Sequence, residues 1–157
     1  MAKAKPKDIL TLIEADHRKA EQLLTELENT KDAKKTQSLF KEIYKELTLH
    51  AKAEELVFYP AMEEYEETEE YIEEAEQEHD SVKVLLEEMK KLQPGDAEFQ
   101  AKLEDLKEAV NHHVEEEESE IFGAVRECME EDELKELGQE FQAAKTRLES
   151  DVEMAIA

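Results

Sequence analysis

The sequence is poor in residues that interrupt a helix, with three glycines and three prolines among 157 residues. It lacks tryptophan and has one cysteine, Cys128. A single thiol cannot close an intrachain disulfide, which excludes a disulfide-stapled secreted scaffold. Cations are scarce: 20 Lys and Arg stand against 44 Asp and Glu, a formal net charge of -24. So acidic a chain repels phosphate backbones and anionic bilayers, and neither nucleic acid nor a membrane is an expected partner. No run approaches the roughly 20 apolar residues that span a bilayer. The basic stretch Met1–Lys7 has no apolar run behind it and does not read as a secretory signal. A cytoplasmic protein, monomer or homodimer, is the expectation. No long stretch alternates with period two, so a sheet has little support.

What remains is dominated by helix formers. Hydrophobic residues make up 39% and charged residues 41%, a mixture typical of long amphipathic helices. The length suits one domain over residues 1–157 with one core. Pro94-Gly95-Asp96 is the clearest break and Asn29-Thr30-Lys31-Asp32 a weaker one. Pro60 should end or kink a helix, since its ring removes a donor and clashes with the preceding turn. Thr68, followed by Glu69 and Glu70, reads as the next helix start, and Asp132 as a later N-cap. The spacing predicts helices over 7–29, 34–60, 69–92 and 96–129, and a fifth over 133–155. Short loops between long helices imply an all-α, up-down-up-down four-helix bundle over about 7–129 with an additional C-terminal helix. The apolar face of that last helix, Leu134, Leu137, Phe141, Ala144, Leu148 and Val152, should cap the bundle or pair two chains.

The histidines fall inside the apolar stripes. The first helix reads Leu10, Ile13, His17, Ala20, Leu24, Leu27, in steps of three and four that keep all six on one face. The second reads Phe40, Ile43, Leu47, His50, Glu54, Val57. The third reads Ile72, Ala75, His79, Val82, Leu86, Met89, and the fourth Phe99, Leu103, Leu106, Val110, His113, Glu117, Ile121. Each helix places a histidine where a core leucine belongs, and two add a glutamate four residues later. An unpaired buried carboxylate costs several kcal/mol or takes up a proton. A metal cluster compensates all six groups at once. Imidazole with carboxylate suits iron, manganese or zinc. There is no His-Glu-x-x-His of a zinc protease and no cysteine cluster. Two inward carboxylates and four imidazoles favour a dinuclear site with open positions for a small ligand. His112 lies one residue off the stripe and reads as a surface or supporting residue.

The order His, His-x-x-x-Glu, His, His-x-x-x-Glu resembles the hemerythrin-like (HHE cation-binding) domain family. Asp16-His17-Arg18, His50-Ala51-Lys52-Ala53-Glu54-Glu55, Tyr59-Pro60, Glu78-His79-Asp80 and His113-Val114-Glu115-Glu116-Glu117-Glu118 agree in character. The resemblance covers about residues 8 to 127. It implies a four-helix bundle around two iron ions, carboxylate- and oxo-bridged, with His17, His50, His79 and His113 as terminal ligands and Glu54 and Glu117 as bridges. It also implies a diatomic or peroxide ligand, in sensing, storage or stress response rather than an established catalytic reaction. Oxygen-carrying hemerythrins have an extra histidine where this chain has Ala75. That leaves a coordination position for water or a donor such as Glu76, and speaks against simple reversible carriage. Nitric-oxide-linked iron repair is a further expectation of the resemblance, although the extra cysteine-bearing segment of those relatives is missing; Cys128 reads as a packed apolar residue. Oxygen binding calls for a dry pocket, for which Ile13, Leu47, Val82 and Val110 are candidates. Two rival readings remain at this point. One is a ferritin-like di-iron oxidase using Glu14 with His17, Glu76 with His79, and Glu54 and Glu117. The other is a metal-free helical interaction module.

Overall fold

A computed structural model describes residues 7–157, so all of the basic stretch Met1–Lys7 except Lys7 lies outside the described residues. Helix α1 is Ile9–Asn29 and α2 is Ala33–Ala53. Each starts on an aspartate that accepts a backbone hydrogen bond: Thr11 N–H donates to Asp8 Oδ1 at 2.8 Å, and Lys35 N–H to Asp32 Oδ2 at 3.0 Å. The chain continues from α2 through a single π-helical turn, π1 (Glu54–Phe58), into α3 (Tyr59–Glu63). A short α4 (Glu66–Glu69) precedes α5 (Ile72–Lys90). Helix α6 (Ala97–Glu116) likewise passes through π2 (Glu117–Ile121) into α7 (Phe122–Cys128), and α8 is Glu131–Ile156.

Pro60 does not end the second helix. It comes directly after the π-turn, where the Tyr59 N–H already reaches back to Glu54 O and the i→i−4 ladder is interrupted. Thr68 does not start the third helix either. Its buried hydroxyl donates to Met62 O at 2.6 Å, clamping α4 onto the end of α3. The last helix starts on Glu130 rather than Asp132.

Two apolar clusters show the up-down-up-down order. One joins the start of α1 (Ile9, Leu10, Ile13), the end of the second run (Phe58, Met62), the start of α5 (Ala75) and the end of the fourth run (Ile121, Phe122, Val125). The other joins Leu24, Leu27, Phe40, Ile43, Leu86, Met89, Phe99 and Leu106, the opposite ends of the same helices. Only antiparallel neighbours produce that division. Between the clusters lies a buried polar layer: His17, His50, Glu54, His79, His113 and Glu117.

The fifth helix caps the bundle, burying Leu134, Leu137, Phe141, Ala144 and Val152, while Leu148 is half-buried. It lies against α1 and α2. No helix among the described residues is long and apolar enough to cross a membrane. At Gly138, a Cβ would meet the Lys7 carbonyl oxygen at 2.3 Å, so α8 crosses the start of α1 in backbone contact. Gly123, in α7, has nothing within 4 Å. Gly138→Ala therefore destabilises by about 1–3 kcal/mol, as overpacking does. Gly123→Ala stabilises by roughly 0.5–1 kcal/mol through helix propensity. Urea unfolding of the two variants checks the opposite signs.

Candidate metal centre

The polar layer is assembled by four helices, and the two π-turns sit on it. Both begin at the glutamate of a His-x-x-x-Glu pair, with the Tyr59 N–H bonded to Glu54 O and the Phe122 N–H to Glu117 O. The extra residue in each turn rotates the helix beyond it. Past Glu54 the structure buries Phe58 and Tyr59, while Val57, the next position on the sequence stripe, is only half-buried. Such turns inside α-helices frequently mark functional sites.

Nitrogens and oxygens converge in the layer. His50 Nε2 lies 2.7 Å from Glu54 Oε1, and His79 Nε2 lies 3.3 Å from the same oxygen. His17 Nε2 lies 3.0 Å from Glu117 Oε1, and His113 Nε2 lies 3.4 Å from Glu117 Oε2. His50, Glu54, His113 and Glu117 each bring one ligand-type atom within 4.8 Å of the others. These approaches lack hydrogen-bond geometry. His17 Nε2, His50 Nε2, His113 Nε2 and all four carboxylate oxygens of Glu54 and Glu117 are buried without a hydrogen-bond partner. Orphaned atoms of this kind are rare in folded proteins. Here they face one another in a single layer, as the ligands of a cation do.

The outer nitrogens are held by carboxylates. His17 Nδ1 is 2.7 Å from Glu118 Oε2, His50 Nδ1 is 2.9 Å from Asp16 Oδ2, and His113 Nδ1 is 2.7 Å from Glu78 Oε1. A proton on Nδ1, donated to the acid, leaves the Nε2 lone pair for a metal. Each acid is the chain neighbour of a different helix's site residue. Asp16, beside His17, serves the second helix; Glu78, beside His79, serves the fourth; Glu118, beside Glu117, serves the first. Glu55, beside Glu54, completes the circuit toward His79 Nδ1 at a slack 3.8 Å. Helix α8 joins in: Lys145 Nζ lies 2.7 Å from Asp16 Oδ1, and the Phe141 ring packs edge-on to His50.

His79 is held differently. The Tyr59 hydroxyl lies 3.1 Å from its Nε2, and the two rings stack with centroids 5.4 Å apart. The residue at the corresponding place after the other π-turn is Phe122. Burial, with Glu54 and Glu117 nearby, pushes the Tyr59 hydroxyl pKa far up, so it stays protonated.

Electrostatics follow from burial opposed by charge. Burial alone lowers the pKa of His50, but Glu54 and Asp16 outweigh it and hold the group at about 10. Burial likewise works against protonated His113, which Glu117, Glu54 and Glu78 nevertheless raise well above the usual range. Burial opposes the Glu54 carboxylate, yet His50 and the neighbouring imidazoles hold its pKa well below normal. Without a cation, protonated His50 and His113 facing the Glu54 carboxylate balance the charge in that part of the layer.

All six stripe residues expected to ligate meet in this layer. Glu76 and Glu14 do not: both are exposed. That removes Glu76 as an extra donor. It also removes the ferritin-like reading, which needs both inside and leaves the buried His50 and His113 without a role. His112 is exposed, as expected, and its Nε2 lies 3.2 Å from Glu78 Oε2. Ile13 belongs to the apolar cluster below the layer. Leu47, Val82 and Val110 do line a cavity reaching the imidazoles. Sequence reasoning missed Tyr59 and the crosswise roles of Asp16, Glu78 and Glu118. The available signal was an acid adjoining His17, His79, Glu54 and Glu117.

These features define a helical-bundle metal site of imidazole and carboxylate donors. The chain belongs to the hemerythrin HHE cation-binding domain family, whose model matches residues 8–125. It is 37% identical over 142 residues to a DNA nickase of Nostoc sp. (strain PCC 7120 / SAG 25.82 / UTEX 2576), covering 90% of this chain. The chain spans 40% of the length of that relative. The fold resembles the crystal structure of a hemerythrin HHE cation binding domain-containing protein from Mycobacterium kansasii, with a TM-score of 0.82 at 21% identity, over 92% of this chain and 89% of that one.

A cation entering the layer must displace the protons held there. Loading releases protons, and apparent affinity climbs with pH up to about 10, the value at His50. Titration in weakly buffered solution measures the release; a pH-independent affinity would contradict the arrangement. Glu78→Ala, which frees His113, weakens metal binding by roughly 10–100-fold, as read by chelator competition.

Proposed function

We propose that the chain is a non-haem di-iron protein that binds dioxygen or a related small ligand, such as nitric oxide or peroxide. The observation that carries this reading is the set of buried, unpartnered Nε2 and carboxylate atoms in one layer. His17, His50, His79 and His113 would hold the two ions from the sides, and Glu54 and Glu117 would bridge them, as the family resemblance implies. Six side chains cannot saturate two six-coordinate ions, and an incomplete set leaves positions for a small ligand. Iron fits the mixed nitrogen and oxygen donors; manganese and zinc share that preference. Two ferrous ions would supply the electrons that oxygen or peroxide chemistry needs.

The chain's own residues would govern that chemistry. Asp16, Glu78 and Glu118 fix the imidazole orientation and tautomer. The apolar residues Leu47, Val82 and Val110 keep the approach poor in water. Tyr59 presents a protonated hydroxyl at the His79 edge of the layer. The role this reading gives the chain is sensing, storage or stress response in the cytoplasm.

The 37% identity to a DNA nickase favours a second reading, metal-dependent strand cleavage. Two features oppose it. The formal net charge of -24 repels a phosphate backbone. The donor side chains are buried, out of reach of a duplex backbone.

Iron reconstitution followed by metal analysis and optical spectroscopy separates the readings. The expected result is about two irons per chain, with charge-transfer absorption that changes on oxygen exposure. His50→Ala loses most of that absorption. Nicking of supercoiled plasmid by the iron-loaded chain, with no spectral response to oxygen, would favour the nickase reading.

A further inference from the structure

Helices α2 and α5 touch more sparsely than α1 with α2 or α5 with α6. A cavity of about 210 Å³ opens along that seam and runs inward to His50, His79 and His113. Leu47, Val82, Leu86 and Val110 supply its apolar wall. A diatomic ligand is comparable in size with water, whose share of liquid volume is roughly 30 Å³. The cavity is several times larger than such a ligand needs. An apolar cavity of roughly 150 Å³ holds a benzene molecule. By proportion, this one holds about eight heavy atoms.

The lining carries the acids Asp16, Glu46, Glu55, Asp80, Glu87 and Asp151 against Lys52 and Lys83, so an anion is repelled. Of the polar side chains deeper in, Tyr44 donates its hydroxyl to Glu87 at 2.6 Å and Asp16 is paired with Lys145 and His50. An ion entering would shed water against apolar walls, with the imidazoles as its main partners, which is unfavourable. A neutral molecule incurs no such cost and buries its surface.

We propose that this cavity is a binding site for a small uncharged apolar molecule, an aromatic ring or short aliphatic chain of about eight heavy atoms, placed beside the metal-site histidines. The bound molecule lies between Val82 of α5 and Leu47 of α2, with its inner end toward His79 and His50. The organic molecule thus occupies the approach that the preceding reading gives the small ligand. The inference rests on the cavity itself and not on which metal is bound.

The test uses the full chain loaded with zinc, which has no redox chemistry, labelled at its leucine and valine methyl groups and titrated with toluene. The expected result is saturable shifts at the methyls of Val82, Leu86 and Val110, with none at the exposed Val84 and Leu56. Val82→Phe, which fills the cavity, weakens toluene binding at least about tenfold. Shifts of equal size at Val84 and Leu56, or no saturation at the cavity methyls, overturn the proposal. Should Val82→Phe fail to fold, the wild-type titration decides alone. Metal content is measured on the same samples. Toluene binding without metal uptake would sink the metal reading and leave the cavity standing; metal uptake without toluene binding would do the reverse.

Discussion

The whole bundle is arranged around two glutamates that have lost contact with water. Glu54 and Glu117 are completely buried, and a carboxylate in that position is tolerated only with strong compensation. The compensation comes from four imidazoles, one per helix, and it dictates much else. The helices must be closely level with one another. The core must divide into two apolar clusters, above and below. The imidazoles must be oriented from outside, because a ring free to rotate does not hold its nitrogen on target. The acids that do this are half-buried, and two are themselves supported, Asp16 by Lys145 and Glu118 by Arg18. A salt-bridge pattern that looks like ordinary surface decoration is the outer part of the site.

The two halves of the chain repeat the same device. An acid-histidine pair on one helix is followed by a His-x-x-x-Glu-Glu on the next, and a π-turn begins at the first of those glutamates. The carboxylates next to His17, Glu54, His79 and Glu117 reach across to another helix rather than back to their own. The repeat shows in geometry more than in sequence, since the flanking residues differ. Tyr59 and Phe122 mark where the halves diverge, and they make the His79 corner chemically unlike the other three.

Much of this is legible in the amino-acid order alone. The stripe of the first helix is buried residue by residue as its period requires, and the fourth, from Phe99 to Ile121, equally so. Histidines in such stripes identify their own neighbours, because period and helix count leave them one place to meet. Three things are not legible. The π-turns have no propensity signature, so the stripe points Val57 inward in place of Phe58 and Tyr59. Pro60 reads as a stop because its effect depends on whether the preceding hydrogen-bond ladder is intact, which only the backbone shows. The acids Asp16, Glu78 and Glu118 are hidden by abundance: among 44 acidic residues, a carboxylate beside a histidine does not stand out until the partner across the helix gap is seen.

The circuit of acids is tight at three joints and slack at the fourth. Glu55 is partly exposed and stands 3.8 Å from His79, and this loose joint lies on the same seam that the cavity enters. Three imidazoles are locked by carboxylates at their outer nitrogens, while the fourth is fastened by the ring and hydroxyl of Tyr59. The wall of the cavity thus includes the one ring whose anchor is a phenol rather than an acid.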